Sequence, residues 1–173
     1  IRKLQSNRPY VIEESELEQL AKAENNPMFG DIYKFSFYTG ARLGETISIK
    51  WKNVDLIKNI ITIGDDEFET KTRQQRFIPI RKKLLDILYS RYAEKKPNCE
   101  YVFHKRDGNP FTGSYISKRF KRASRKVGID EKIHFHSLRH SFGSQLGVNG
   151  IPITVIKDLM GHSTVSMTEK YSH

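Results

Sequence analysis

The segment HFHSLRH, residues 134–140, carries three histidines and one arginine within seven positions. His136 and His140 lie four residues apart near the predicted start of a helix, a spacing that lets two imidazoles bind one metal ion. A zinc-protease motif would have glutamate after the first histidine, where this chain has Ser137, and no cysteine pair or acidic segment nearby offers a third ligand. The absence of that glutamate and of a third ligand argues against a metal site. It leaves packed or capping histidines, or His136 acting together with Arg139 on one helical face.

Two other segments carry side chains suited to chemistry on a phosphodiester. The stretch TGARLGE places Arg42 just after a glycine that ends a predicted helix, with Glu45 three residues further along. The stretch LMGH ends in His162, and Tyr171 follows nine residues later. The planar guanidinium of arginine matches the non-bridging phosphate oxygens and offsets the charge that grows in a pentavalent transition state. Tyrosine can act as a covalent nucleophile, but its ordinary pKa of about 10 requires cations and hydrogen-bonding imidazoles nearby.

Apolar periodicity predicts the elements that position these side chains. The segments EESELEQLAKA, DIYKFSFYTG, RLGETISIKW, KKLLDILYSRYAEKK and SYISKRFKRASRKVG are typical of helices, as are HSLRHSFGSQLGVN, PITVIKDLMG and TVSMTEKYSH. The segments NIITIG, FETKTRQ and RFIPI are β-branched or alternating and are separated by turn residues, which predicts an antiparallel meander of three strands. We therefore expect a mainly α fold with a small antiparallel three-stranded β-sheet, built as one domain.

Three of these segments, TGARLGE, HSLRHSF and LMGHSTVSMTEKY, resemble in order and spacing the hallmark segments of the tyrosine recombinases, the phage integrase family. The resemblance extends over essentially all 173 residues and corresponds to the family's C-terminal catalytic domain. It implies a tyrosine recombinase catalytic-domain fold over residues 1–173. We expect the chain, which begins with Ile1, to be a fragment without the N-terminal core-binding domain of the family.

The resemblance also implies a role for each matching residue. Arg42 and Arg139 would clamp the scissile phosphate, and His136 would act in proton transfer and hydrogen-bond the phosphate. His162 matches the family's second histidine or tryptophan position and would hydrogen-bond a phosphate oxygen. Tyr171 would attack phosphorus, which gives a 3′-phosphotyrosine and a free 5′-hydroxyl.

Three further positions follow from the resemblance with alternatives left open. Glu45 matches an acidic position that supports the first arginine, although a surface ion pair with that arginine is the plain alternative. Lys71, on the turn before the FIPI strand, matches the lysine that acts as general acid for the leaving 5′-oxygen. Arg73 and Arg76 stand near it, and an ordinary exposed lysine is the alternative. His140 also matches the motif but has no clear chemical use; it is interpreted as structural, with a supporting hydrogen bond as the alternative.

The positive charge of the chain is concentrated in its second half. Residues 1–80 carry 12 basic and 12 acidic side chains, whereas residues 81–173 carry 18 and 8, which accounts for the net charge of +10. Such a surface suits a polyanion, nucleic acid first and an anionic membrane second, while a solvated basic face is the alternative. The segment SYISKRFKRASRKVG combines one apolar stripe with basic side chains that we expect to contact DNA phosphates: Lys118, Arg119, Lys121, Arg122 and Arg125.

The remaining features limit cofactors, partners and location. The single cysteine, Cys99, excludes an intrachain disulfide, and no apolar run is long enough to cross a membrane, so we expect a cytoplasmic, nucleoid-associated protein. The chain has neither a P-loop nor a carboxylate cluster, and we expect no cofactor, metal or ATP. The resemblance implies double-stranded DNA as substrate, a homotetramer on two DNA sites and accessory DNA-bending proteins. A topoisomerase IB-like enzyme and a non-catalytic DNA-binding protein are the alternative functions.

Overall fold

The computed structural model describes residues 9–64 and 75–172 of the chain. Within these ranges the α-helices are α1 (Glu14–Lys22), α2 (Pro27–Thr39), α3 (Leu43–Ser48), α4 (Lys82–Ala93), α5 (Gly113–Val127), α6 (His136–Val148) and α7 (Ile153–Met160). The strands are β1 (Val54–Asp55), β2 (Ile60–Ile63) and β3 (Arg76–Pro79). Short 3-10 turns cover Trp51–Asn53, Val165–Met167 and Glu169–Tyr171. The prediction of a mainly helical fold with a small sheet is confirmed.

The sheet is a three-stranded antiparallel meander in the order β1-β2-β3. Ile61 in the central strand is opposite Val54 on one side and Ile78 on the other. The predicted first strand, NIITIG, is therefore the central one, because β1 has only two residues and is too short to show an alternating pattern. The predicted strand FETKTRQ, and Lys71 within it, lie outside the described residues.

Helix α2 is the central element of the larger core. Its side chains Phe29, Tyr33, Phe35 and Phe37 are buried, and it packs against α1, α4 and α6. An apolar surface on nearly all sides is what a helix surrounded by other helices requires. The helix ends at Gly40, whose φ of +70° lies in the left-handed region that glycine adopts without steric cost.

A second, smaller apolar cluster lies between α6, α7 and the C-terminal turn. It consists of Phe142, Ile156, Met160 and Tyr171, all buried. The prediction of a helix over TVSMTEKYSH is wrong, since the chain forms two 3-10 turns there. Between the turns, the hydroxyl of the buried Thr168 forms a hydrogen bond with Nδ1 of His162, six residues earlier. Among the described residues no helix has the length and apolarity needed to span a membrane.

Candidate active site

Arg42 lies at the start of α3, immediately after the turn made by Gly40, and its side chain remains partly exposed. Its backbone N–H donates to Oε1 of Glu45 at 2.8 Å, and its Nη1 lies 3.7 Å from the same oxygen. Glu45 therefore holds both the backbone and the guanidinium of Arg42 in place. The expectation that Glu45 lies beside the first arginine agrees with this geometry.

Arg76 completes this support, and it is the residue that the sequence reasoning missed. Its Nη1 and Nη2 atoms donate to Oε2 and Oε1 of Glu45, both at 2.8 Å, and its Nε donates to the carbonyl of Leu159 at 3.0 Å. Both partners of this bidentate pair are buried. The alternating pattern of RFIPI could have indicated that Arg76 is buried, because it places Arg76 on the same strand face as the buried Ile78.

The Arg76–Glu45 pair makes the fold sensitive to acid. Burial alone would raise the pKa of Glu45, but the hydrogen bonds and charge of Arg76 outweigh it and lower this pKa from 4.5 to about 2. A lowered pKa in the folded state stabilises the fold above pH 4.5, by about 3 kcal/mol, and this contribution is lost as the pH falls toward 2.

We therefore expect Glu45→Gln to reduce the free energy of unfolding at pH 7 by about 3 kcal/mol, because it leaves Arg76 buried without its counter-charge. Between pH 4.5 and 2 the variant should lose stability less steeply than the wild type. Urea denaturation over a pH series measures both quantities. Parallel stability–pH curves for the two proteins would contradict this assignment.

Arg139 is buried on α6 and joins the ends of two other helices. Its Nη1 donates to the carbonyl of Gly40 at 2.6 Å and its Nη2 to the carbonyl of Met160 at 2.5 Å. Burial, with Arg42 and Arg76 nearby, lowers the pKa of Arg139 to about 9, and the guanidinium stays charged at neutral pH. These bonds use two of its five N–H groups, so the side chain retains donors for an anion.

His162 follows α7 and is buried beside the C-terminal turn. Its Nδ1 lies 2.8 Å from the hydroxyl of Thr168, which orients the ring. Burial, followed by the charge of Arg139, lowers the pKa of His162 to about 4, so the imidazole is neutral at pH 7. When Thr168 donates to Nδ1, the proton resides on Nε2, which can then donate to a phosphate oxygen.

His136 and His140 pack against each other with perpendicular rings and centroids 4.6 Å apart. His136 is exposed to solvent, and desolvation at the site together with the charge of Arg139 lowers its pKa to about 4. Burial and Lys170 lower the pKa of His140 to about 3. Both imidazoles are therefore neutral at pH 7 and each has one donor and one acceptor nitrogen.

Tyr171 is only 2% exposed, and its ring packs against Gly143 and Met160. Its Oη lies 2.8 Å from Nδ1 of His140. Burial raises the pKa of Tyr171 to about 12, although the charge of Arg139 acts in the opposite direction. The phenol is therefore protonated at neutral pH. His140, interpreted from the sequence as structural, is in direct contact with the candidate nucleophile.

The close approach of Tyr171 to α6 requires glycine at position 143. A Cβ atom there would lie 2.6 Å from Cε2 and Cζ of Tyr171 and 2.8 Å from Sδ of Met160. We expect Gly143→Ala to displace the phenol and slow DNA cleavage about tenfold or more, with a loss of about 1–3 kcal/mol in unfolding free energy. Single-turnover cleavage and thermal denaturation measure these effects. Gly44→Ala is the matched control, because a Cβ atom at that helical position meets no atom within 4 Å.

The structure brings five of the predicted groups into one electropositive site. The charges of Arg42 and Arg139 act on both His136 and His162, and Arg139 acts on Tyr171. Lys71 lies outside the described residues. The site therefore combines neutral imidazoles, a protonated phenol and two guanidinium groups.

Helix α5 presents its basic side chains to different surroundings. Nη2 of Arg119 lies 2.7 Å from Oε2 of Glu24, and its guanidinium stacks 3.8 Å from the ring centroid of Phe29, so this arginine faces the protein. Arg125 pairs with Glu131 at 2.8 Å.

The remaining three members of the predicted set are Lys118, Lys121 and Arg122. Lys121 donates to the carbonyls of Ile133, at 2.9 Å, and Glu131. Lys118 and Arg122 are exposed and have no ion-pair partner in the part of the chain that the structure describes. These two side chains are therefore the members of the predicted phosphate-contacting set most available to DNA, whereas Arg119 is held against Glu24 and Phe29.

Comparison with known proteins identifies relatives of this chain. The phage integrase family model matches residues 11–173. The tyrosine recombinase XerD of Lacticaseibacillus casei is 28% identical over 148 residues, which are 82% of this chain and 49% of the relative. The chain thus spans about half the length of that relative.

Two solved structures share the fold. The XerA recombinase is 28% identical with a TM-score of 0.81, over 100% of this chain and 61% of that one. A variant of the Tn1549 transposon integrase in complex with a circular intermediate DNA is 19% identical with a TM-score of 0.82, over 98% of this chain and 63% of that one. The second likeness concerns the fold alone. The family match over nearly the whole chain and the shared fold show that this protein belongs to the phage integrase family of tyrosine recombinases.

Proposed function

We propose that residues 1–173 form the catalytic domain of a site-specific DNA recombinase that cleaves and rejoins strands through a 3′-phosphotyrosine. The observation that carries this proposal is the grouping of a tyrosine hydroxyl with two arginines and neutral histidines in one site. The charge of Arg139 is close enough to affect the pKa of Tyr171. Arg42 and Arg139 both affect the pKa values of His136 and His162. The names of the relatives, which include a recombinase and a transposon integrase, support this class of reaction.

Binding of the scissile phosphate is the first task of the site. Arg42, held by Glu45, and the remaining N–H groups of Arg139 offer charged donors to the non-bridging oxygens. Nε2 of His162 supplies a neutral donor, and His136 at the exposed edge supplies another. These donors strengthen as negative charge grows on the oxygens, so they stabilise the transition state more than the bound substrate.

The chemical step is a transesterification in which atoms and charge balance. Oη of Tyr171 forms a bond to phosphorus, the bond from phosphorus to the 5′-oxygen breaks, and the phenolic proton passes to a neutral imidazole of the site. The leaving 5′-oxygen takes up a proton, for which we propose Lys71 as the donor. Because the phosphotyrosine ester conserves the energy of the broken bond, rejoining requires neither ATP nor a catalytic metal.

Recombination requires more than one cleavage site. The 5′-hydroxyl of a partner duplex attacks the phosphotyrosine, and we propose four protomers assembled on two DNA sites. Lys118 and Arg122 on α5 would contact phosphates without reading sequence. Double-stranded DNA is thus the proposed partner, and the chromosome and its mobile elements are the proposed place of action.

A covalent-trapping assay tests the function. The full-length protein is mixed with nicked duplexes taken from DNA flanking its gene, and the products are separated on a denaturing gel. We expect a slowly migrating protein–DNA species that is absent with Tyr171→Phe. Absence of this species for a wild-type protein that binds the same DNA would contradict the proposed function. Relaxation of supercoiled plasmid without any site requirement would instead indicate a topoisomerase.

A further inference from the structure

Phosphate binding and protonation of the leaving group make no use of the hydrogen bond between His140 and Tyr171. Nδ1 of His140 lies 2.8 Å from Oη of Tyr171. In the described part of the chain no other side chain forms a hydrogen bond with this hydroxyl. The two residues are 31 positions apart, so the contact depends on the packing of the C-terminal turn against α6.

The position of the His140 ring is well defined by its surroundings. It is attached to a regular helical turn of α6 and packs at a right angle to the ring of His136. The opposite side of the contact is equally constrained, because the Tyr171 ring is packed against Gly143 and Met160. Because packing holds both rings, this hydrogen bond fixes the direction in which the phenolic oxygen points.

Both partners are neutral, which determines what the bond can do. Burial, then the charges of Lys170 and neighbouring histidines, lowers the pKa of His140 to about 3, while burial keeps Tyr171 protonated. A neutral imidazole has one bare nitrogen. When Nδ1 is that nitrogen, the phenol donates its proton to it, and the lone pairs of Oη remain available for phosphorus.

We infer that His140 is a positioning residue for the nucleophile: its Nδ1 accepts the hydrogen bond of Tyr171 and aims the phenolic oxygen at the scissile phosphate. This inference rests on the proposed function of the same site. It assigns a distinct task to each of the two histidines, since His136 faces solvent and the incoming phosphate. It also assigns a chemical function to the third histidine of HFHSLRH, which was interpreted from the sequence as structural.

Substitutions that retain different atoms of the ring test the assignment in the full-length protein. His140→Ala removes the contact, His140→Asn keeps a polar atom near the Nδ1 position, and His140→Gln keeps one near Nε2. We expect His140→Ala to slow single-turnover covalent complex formation by about a hundredfold, with unchanged DNA affinity. His140→Asn should cleave at least about tenfold faster than His140→Gln.

Two controls separate positioning from a general loss of structure. His134→Ala, an exposed histidine of the same segment, should cleave like the wild type. Thermal denaturation shows whether each variant is folded at the assay temperature. Equal rates for His140→Asn and His140→Gln, or a rate for His140→Ala at or above that of the wild type, would overturn the inference. A His140→Ala protein that cleaves faster than the wild type would mean that the hydrogen bond holds Tyr171 away from DNA.

A modified substrate separates attack from departure of the leaving group. In a duplex with sulfur at the bridging 5′ position of the scissile phosphate, the leaving thiolate departs without a proton. Lys71→Ala should regain most of its cleavage rate on this substrate, whereas His140→Ala should remain about a hundredfold slow. Recovery of His140→Ala would place the histidine on the leaving-group side and overturn its assignment to the nucleophile.

An observation without DNA distinguishes this inference from the proposed function. Tyrosine labelled with carbon-13 at Cζ gives an NMR signal that reports on the hydrogen bond of each phenol, and Tyr171→Phe identifies the signal of Tyr171. We expect this signal to shift in His140→Ala and to stay closer to its original position in His140→Asn. An unchanged signal would overturn the contact. A shifted signal in a protein that never attaches to DNA would contradict the function alone.

Discussion

Replacing Tyr171 with phenylalanine should eliminate covalent attachment to DNA while leaving DNA affinity within about twofold of the wild type. The substitution removes one atom, Oη, and with it the nucleophile and the hydrogen bond to His140. Loss of a covalent nucleophile cannot be compensated by the arginines, because they stabilise a transition state that no longer forms. We expect covalent product to fall by at least about a thousandfold.

The fold should tolerate this change, because the phenylalanine ring keeps the packing against Gly143 and Met160. The matched control is Tyr115→Phe, which removes a hydroxyl from an exposed tyrosine on α5. The denaturing gel described above reports covalent product, and fluorescence anisotropy with the same duplex reports binding. Any covalent product with Tyr171→Phe would show that another residue attacks phosphorus.

Replacing Arg139 with alanine should have the second large effect, on both cleavage and stability. The variant loses a charged donor to the phosphate, for which we expect cleavage to fall by at least about a thousandfold. It also leaves the buried carbonyls of Gly40 and Met160 without their donor. We therefore expect the free energy of unfolding to fall by about 3 kcal/mol.

Arg139→Lys separates the two effects. Lysine keeps the positive charge but lacks the planar fork, so it cannot reach two carbonyls and a phosphate together. We expect a smaller loss of stability than with alanine and a loss of cleavage nearly as large. The exposed Arg81 provides a charge-matched control, because Arg81→Ala removes the same charge from the start of α4.

Cleavage should be measured at a temperature where urea denaturation shows both Arg139 variants to be folded. A fully folded Arg139→Ala protein with wild-type stability would contradict the structural role of the two carbonyl bonds. Cleavage at the wild-type rate by either Arg139 variant would contradict the contact between Arg139 and the phosphate. The two buried carbonyl bonds of the guanidinium are the reason to expect a loss of stability as well as of cleavage.

The identity and order of the reactive groups could be predicted from the sequence. Arginine, histidine and tyrosine have chemical properties that do not depend on the fold, so their presence in three spaced segments indicated phosphodiester chemistry. Helices α1, α2 and α5 were also predictable, because the apolar periodicity and end signals of a helix are local. The contacts of Arg119 were not, because they depend on Glu24 and Phe29, far away along the chain.

The sequence thus determined which groups are available, and the tertiary structure decided which of them touch. Arg76 pairs with Glu45 from 31 positions away, Arg139 reaches Gly40 across 99, and His140 meets Tyr171 across 31. Such contacts depend on how α6 packs against α2, α7 and the C-terminal turn. Periodicity describes which face of one element is apolar, but it carries no information about the distant element that covers that face. For that physical reason the sequence indicated only a structural histidine at position 140, and the packed fold was needed to place its Nδ1 beside the phenol.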